Sequence, residues 1–473
     1  MPPATLTESR SLDAPLASAD AGFANNIAIV GGGIAGCSTA WFLRQCLGER
    51  VALTVYERDD RVGGRLATIG VGGARVEAGG TIIHETNRYM AGFIDELALE
   101  RVEPHQADDG GGGESVGVWD GRNMVFRTYA SALRTRISAV LRYGVLSPLR
   151  MQRAVSRSVD RWNMVYDELE SGRGFASPSE MIRELGLRGM LESDGRSWLA
   201  DCGVRGRFVD EYASPVGRIM YGQDVSMHAF ATSIALAGAG LAGNLFSVAG
   251  GNHRVCQGLL DRASVTLNTG SQVTGLSSSE RSGYELRLAD GETRHHELVV
   301  LATPNGPAGL EVGALKLPAT ALRKRPFQTT WATFVKGLPR PGYFGLAEVR
   351  ELPDTLLTVE SAEIPFSSLG LVGAAPDGAP VYKLFSRDQP SEMLLDQIFA
   401  KRDATEELCW QAYPVLRPSD ELPPFRLADG LYWVNAMEFA ASTMETEAVA
   451  ARNVANCILA EFSSGVQGSA RTG

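Results

Sequence analysis

IAIVGGGIAGCSTAWFLRQCLGERVALTVYERDDRVGGR, residues 27–65, reads as a buried strand, a glycine turn, a helix, a second strand, an acid and a second glycine turn. The apolar run Ile27 to Val30 is followed by glycines at 31, 33 and 36. In this G-x-G-x-x-G spacing the first glycine makes a tight turn. The second lets backbone approach a pyrophosphate, and the third lets helix pack closely on strand. The helix predicted from Ile34 to about Leu47 aims its first N–H groups, with Ile34 and Ala35, at the phosphates. Val51 to Tyr56 is a second parallel strand, and Glu57 at its end is placed to accept both ribose hydroxyls of an adenosine.

A glycine motif alone often marks only a turn. Here strand, helix, second strand and acid all fall where a dinucleotide site needs them. The next turn separates NAD from FAD. Arg58 leads into Arg61-Val62-Gly63-Gly64-Arg65, where a second glycine pair, Gly63 and Gly64, brings backbone near the pyrophosphate. Arg65 is expected to neutralise that pyrophosphate with a bidentate guanidinium. The cofactor expected is FAD.

The 473-residue chain carries a net charge of −10, which argues against nucleic acid as a partner. Its six cysteines form no C-x-x-C pair, so neither a disulfide framework nor a metal site is expected, and a reduced, cytoplasmic setting fits. Residues 1–24 lack the apolar core of a signal peptide and read as a disordered tail. No apolar run is long enough to span a membrane.

Further along, Val76 to His84 (VEAGGTIIH) holds another glycine pair, which is either a strand ending in a turn or backbone drawn close to a flat group such as a flavin ring. Asn87 to Leu99 reads as a helix, Asp108 to Glu114 as a flexible loop, and VGVWDGRNMVF as a hairpin turning at Asp120-Gly121. Residues 122–161 hold nine arginines against one acid, and Leu133, Ile137, Val140 and Leu141 keep helical spacing. Such a stretch is either a solvated helix face or a surface that rests on anionic lipid. Residues 175–240 look helical around a turn-rich centre, SPVGRIMYGQD. Leu298 to Ala302, ending at Thr303, could rejoin the nucleotide sheet, and a last helix runs from Met444-Glu445 to about Phe462.

The expected fold is α/β, with a discontinuous Rossmann-type FAD domain and a second, α+β substrate-binding domain. The FAD domain takes residues 25–105, 240–305 and 425–465. A helical, substrate-binding region takes 106–239, the substrate-binding domain 306–424, and a tail 466–473.

Together these segments resemble the prenylcysteine oxidase (farnesylcysteine lyase) family, within the amine oxidase and phytoene desaturase group of flavoproteins. VEAGGTIIH, SPVGRIMYGQD, GGNHRVCQGLL and YWVNAMEFAASTMETEAVAARN carry the resemblance beyond the glycine motifs. It implies non-covalent FAD, dioxygen as a second substrate, and oxidative cleavage of a lipophilic S-prenyl thioether to thiol, aldehyde and hydrogen peroxide. It also implies that Gly31, Gly33, Gly36, Glu57, Gly64 and Arg65 hold the ADP portion, with Val273 and Ala302 beside the adenine. Gly80, Thr81 and Ile82 would lie along the flavin, and Glu438, Met444 and Glu445 would sit by the ribityl chain and ring. Animal members carry a secretory signal absent here, Phe439 stands where a cysteine commonly follows the glutamate, and Glu85 after His84 also differs.

Loss of hydride from an allylic carbon beside sulfur needs little acid–base help, but collapse of the water adduct benefits from a proton acceptor. His84 is the candidate, against a structural contact to the flavin. Two other readings stay open: oxidation of an amine, another thioether or a polyene, and a flavin- or lipid-binding protein without turnover. For an amine, Tyr413 and Trp433 are candidate aromatics, but no lysine falls at an obvious place.

Overall fold

The computed structural model describes residues 26–103, 115–241, 245–419 and 421–469. The expected N-terminal tail and the Asp108–Glu114 loop lie outside them. In the strand Asn26–Val30 the residues from Ile27 onward are apolar and buried, as an inner strand of a covered parallel sheet requires. It pairs in parallel with Ala52–Tyr56 on one side and Leu298–Leu301 on the other. Thr266–Asn268 and Leu431–Trp433 extend this sheet in parallel, and Arg426–Ala428 closes it antiparallel, giving six strands. Three distant segments thus build one sheet. The helices Ile34–Leu47, His253–Ala263 and Met444–Ser469 pack together against it.

A seven-stranded sheet forms the second layer system, in the order Phe399–Pro414, Phe327–Pro339, Pro380–Ser386, Ser368–Ala374, Thr355–Thr358, Val116–Trp119, Met124–Arg127. The hairpin at Asp120-Gly121 forms, with the Asp120 carboxylate accepting from the N–H groups of Arg122 and Asn123. Its first strand joins this sheet through parallel pairing with Thr355–Thr358. One face of the sheet packs on the hairpin Thr68–Val71 and Ala74–Glu77 through Val71, Val76, Phe334 and Val381.

Three expectations are corrected. SPVGRIMYGQD is not a turn: Ser214–Tyr221 is a helix with proline in its first turn and Gly222 as a left-handed cap. Proline suits a first helical turn and glycine a helix end, so punctuation residues here mark the two ends of one helix. The last helix continues to Ser469 through the first part of the expected tail. In the basic stretch Arg122 and Arg127 belong to the hairpin region, and the rest lie on the helices Ala132–Tyr143 and Leu146–Glu170. None of the residues of the first of these helices is buried, so its apolar stripe faces outward.

Candidate active site

The site starts at the strand end. Gly31 adopts φ 115° and its N–H donates to the Tyr56 carbonyl at 2.8 Å. A Cβ on Gly36 would stand 2.0 Å from the Gly31 carbonyl oxygen, which is the close helix–strand contact the motif requires. A Cβ on Gly33 would meet nothing nearer than 4.0 Å, so this glycine leaves space in front of the helix N-terminus. The Glu57 carboxylate is buried and fixed, accepting from the N–H groups of Gly32 at 2.7 Å and Asp59 at 2.9 Å. The second turn is clipped onto the first by the Gly63 N–H donating to the Gly32 carbonyl at 2.8 Å.

Arg65 differs from expectation. Both its terminal nitrogens bind the Glu438 carboxylate, and one also donates to the Ala412 carbonyl at 2.6 Å. Its fork is already occupied by a protein carboxylate, because Glu438 is fully buried and needs a cation. Asn435 donates to the same carboxylate.

The Gly79-Gly80 loop is held from several sides. The Asn252 amide donates to the carbonyls of Gly80 at 2.9 Å and Thr81 at 2.8 Å, and its backbone N–H donates to Glu77 at 2.6 Å. The Lys383 ammonium donates to the Glu77 carbonyl at 3.1 Å and lies over the rings of Phe334 and Phe385. Burial pushes Lys383 down to about 8 and the Glu77 carboxyl up to about 7. Glu445 accepts from the Tyr89 and Met90 N–H groups and from the Tyr166 hydroxyl, pinning the last helix to the N-terminus of the Arg88–Glu96 helix.

His84 is buried and lowered in pKa by that burial, so it is neutral. The Thr86 N–H donates to its Nδ1 at 3.1 Å, which leaves the ring proton on Nε2. That Nε2 is buried without a partner in the described protein. As it stands His84 offers a hydrogen-bond donor.

One cavity of about 1060 Å³ joins these parts. Its walls include Gly31, Gly33, Ile34, Ala35, Glu57, Arg58, Gly63, Gly64, Arg65, Gly80, Thr81, Ile82, His84, Val273, Ala302, Thr303, Met444 and Glu445. Gly36 and Glu438 stand behind the wall, one packing the turn and the other holding Arg65. Tyr413 lines the cavity, but Trp433 does not: its indole N–H donates to the Thr303 carbonyl, and Trp410 lines the wall instead. Lys383 also lines it, so a lysine does reach this cavity, on a strand where no sequence signal pointed. No group of residues able to hold a metal occurs among the described residues.

The cradle fits a flavin dinucleotide. Besides the open space at Gly33, the His84 Nε2 and both carboxyl oxygens of Glu447 are buried, unpartnered and on the cavity wall, as groups awaiting a polar ligand would be. Residues 127–469 match the family model described as prenylcysteine lyase. The chain belongs to the prenylcysteine lyase family. Residues 29–97 match the NAD(P)-binding Rossmann-like domain. Farnesylcysteine lyase of Arabidopsis thaliana is 34% identical over 452 residues, 92% of this chain and 88% of that protein. Prenylcysteine oxidase 1 of Mus musculus is 32% identical over 456 residues, 91% and 88%. Among solved structures, cyclohexylamine oxidase from Brevibacterium oxydans covers 93% of this chain and 100% of its own, with TM-score 0.61 and 17% identity. Putrescine oxidase bound to putrescine covers 92% and 99%, with TM-score 0.59 and 16% identity. These two share the fold. As a member of its family the chain is an FAD-dependent oxidoreductase.

Sequence reasoning missed Asn252, Arg218, Lys383, Arg387 and Glu447. Asn252 lies within GGNHRVCQGLL, but nothing local shows that its amide reaches back across more than 170 residues. Glu447 follows Glu445 by two positions, where helix geometry turns it to a different side.

Proposed function

We propose that the protein cleaves an S-prenyl cysteine-like thioether, giving thiol, aldehyde and hydrogen peroxide. One observation carries the reading: the cavity does not end at the flavin cradle. It continues between the Leu146–Glu170 and Ser214–Tyr221 helices and the large sheet, past Trp162, Ile219, Met220, Ile234, Leu371 and Phe385. An apolar extension of this kind suits an isoprenoid chain. FAD supplies the two-electron acceptor for hydride leaving the allylic carbon. The protein's own contribution is orientation and exclusion of water, with the His84 Nε2–H placed to donate to a ligand in the cavity. The named relatives, a farnesylcysteine lyase and a prenylcysteine oxidase, support this choice over an amine. The test is anaerobic bleaching of the flavin by S-farnesylcysteine, followed in air by stoichiometric peroxide. A flavin that stays oxidised under S-farnesylcysteine but bleaches with a primary amine would reverse the assignment.

The protein works, in this proposal, in the cytoplasm and against an anionic lipid surface. Six cysteines that are all free thiols support a reducing compartment. Leu133, Ile137, Val140, Leu141, Val145, Leu146 and Leu149 are all exposed, Leu141 by 82%, along the Ala132–Tyr143 helix, the turn after it and the start of the Leu146–Glu170 helix. Exposed apolar residues gathered in this way mark an interaction surface. Around them Arg134, Arg136, Arg150 and Arg153 are exposed on a protein that is acidic overall. The same Leu146–Glu170 helix runs inward to the cavity wall at Trp162 and Tyr166, so a lipophilic substrate would have a short path. Reversing Arg134, Arg136, Arg150 and Arg153 to glutamate should lower binding to phosphatidylserine vesicles by at least roughly tenfold. Wild-type protein that fails to co-float with such vesicles would remove the membrane from the proposal.

A further inference from the structure

Arg218 lies on the Ser214–Tyr221 helix and is 4% exposed. One terminal nitrogen stands 2.7 Å from the Glu360 carboxylate, and the other donates to the Phe366 carbonyl at 3.1 Å. Its Nε is buried without a partner in the described protein. Arg387, just beyond the Pro380–Ser386 strand, binds the same Glu360 carboxylate through both terminal nitrogens at 2.9 Å and also donates to the Gly222 carbonyl. Two guanidiniums therefore share one carboxylate. Asp224 and Asp388 soften the field on Arg387 without forming an ion pair with it. Asp224 instead accepts from the Ser226 N–H and hydroxyl.

Both arginines line the cavity, in the part walled by Ile219, Met220, Leu371 and Phe385. Burial lowers the pKa of Arg218, yet a guanidinium stays charged across the working pH range. A charged group with an unmade donor in apolar surroundings is costly, unless a ligand completes it. Lys383, the other cation on this wall, is already held by a carbonyl and two rings and keeps its charge less firmly.

We propose that Arg218, with Arg387 and Glu360 fixing its orientation, binds the α-carboxylate of the substrate's amino-acid part. This rests on the thioether reading and names the residues that would hold the free α-carboxylate of that substrate. A prenylated cysteine still inside a peptide, or carrying a carboxyl ester, has no anion to offer.

The experiment compares S-farnesylcysteine, its methyl ester and S-farnesylcysteamine on purified holoenzyme. The last two keep the thioether and the amine and lack the anion. KM should be roughly 10- to 100-fold higher for both, the range lost with one hydrogen bond to a charged group, while kcat changes less. Arg218→Gln should raise KM for S-farnesylcysteine to the ester's value and leave KM for the ester within about threefold, so that discrimination collapses. Arg387→Gln, at a half-exposed position, should weaken discrimination partially; it serves in place of the first variant if that one loses its FAD. Equal KM for all three compounds on the wild type would overturn the site and leave the thioether reading standing. Full discrimination retained by a folded, FAD-loaded arginine variant would overturn it too. Absence of bleaching with all three would remove the thioether reading and this occupant with it.

Discussion

Gly36→Ala should leave the protein without flavin. The added methyl would lie 2.0 Å from the Gly31 carbonyl oxygen and 3.1 Å from its carbon, and both are backbone atoms that no rotamer can move aside. Relief requires the Ile34–Leu47 helix to slide off the sheet, or the first turn to open. Either change displaces the N–H groups that would face the pyrophosphate. Destabilisation of about 3 kcal/mol or more is expected, the upper end of what overpacking a core costs, because no side chain can give way. The contrasting substitution is Gly33→Ala. Its methyl would meet nothing nearer than 4.0 Å and would point into the ligand's space. Gly33→Ala should therefore fold with an apoprotein melting temperature close to wild type and lose FAD affinity alone. The two variants separate the packing glycine from the ligand-approach glycine. Absorbance spectra of the purified proteins, with melting curves before and after adding FAD, check both. A yellow, fully loaded Gly36→Ala protein would contradict the geometry.

These two glycines were legible in the sequence because their spacing is local. The role expected of each follows from three neighbours along the chain, and in the structure Gly36 closes on the Gly31 carbonyl while Gly33 faces open space. The sheet was legible for the same reason, since a wholly apolar run such as Leu298–Leu301 has few alternatives to an inner parallel strand. The substrate side was not. Arg218, Glu360 and Arg387 come from a helix, a loop and a strand end, and each alone looks like a surface charge. Trp433 and Trp410 are equally aromatic in equally strand-like surroundings. Only the neighbouring Thr303 carbonyl, which takes the Trp433 indole N–H, makes one structural and leaves the other for the cavity. His84 is a candidate from its place after a glycine pair, but its tautomer depends on Thr86 and on burial, neither of which a motif records.

Removing Glu438 should have the second large effect, and its size depends on Glu447. Glu438→Ala leaves Arg65 with the Ala412 carbonyl as its remaining hydrogen-bond partner. Breaking a buried pair on one side costs roughly 3–5 kcal/mol, and the lower end applies here because the Arg65 side chain keeps 30% of its surface. Glu447 sits in the same cluster with both oxygens unpartnered. Burial, then the charge of Glu438, hold its carboxyl well above the usual range, and Arg65 pulls the other way. Without Glu438 one of the two raising influences disappears, so Glu447 should ionise and take over as the anion beside Arg65. Glu438→Ala alone should thus be less destabilised than Glu438→Ala with Glu447→Gln. Because its carboxyl is held above the usual range only in the folded state, Glu447 binds more proton folded than unfolded above the ordinary carboxylate range, so folding takes up a proton there. Its contribution is present below the ordinary carboxylate pKa and is lost as pH rises toward the folded value. Glu447→Gln removes that slope, and on its own should make stability less dependent on pH above the ordinary carboxylate range. Urea melts of the two single variants and the double variant at several pH values measure all of this. A double variant no less stable than Glu438→Ala would show that Glu447 does not stand in for the missing carboxylate.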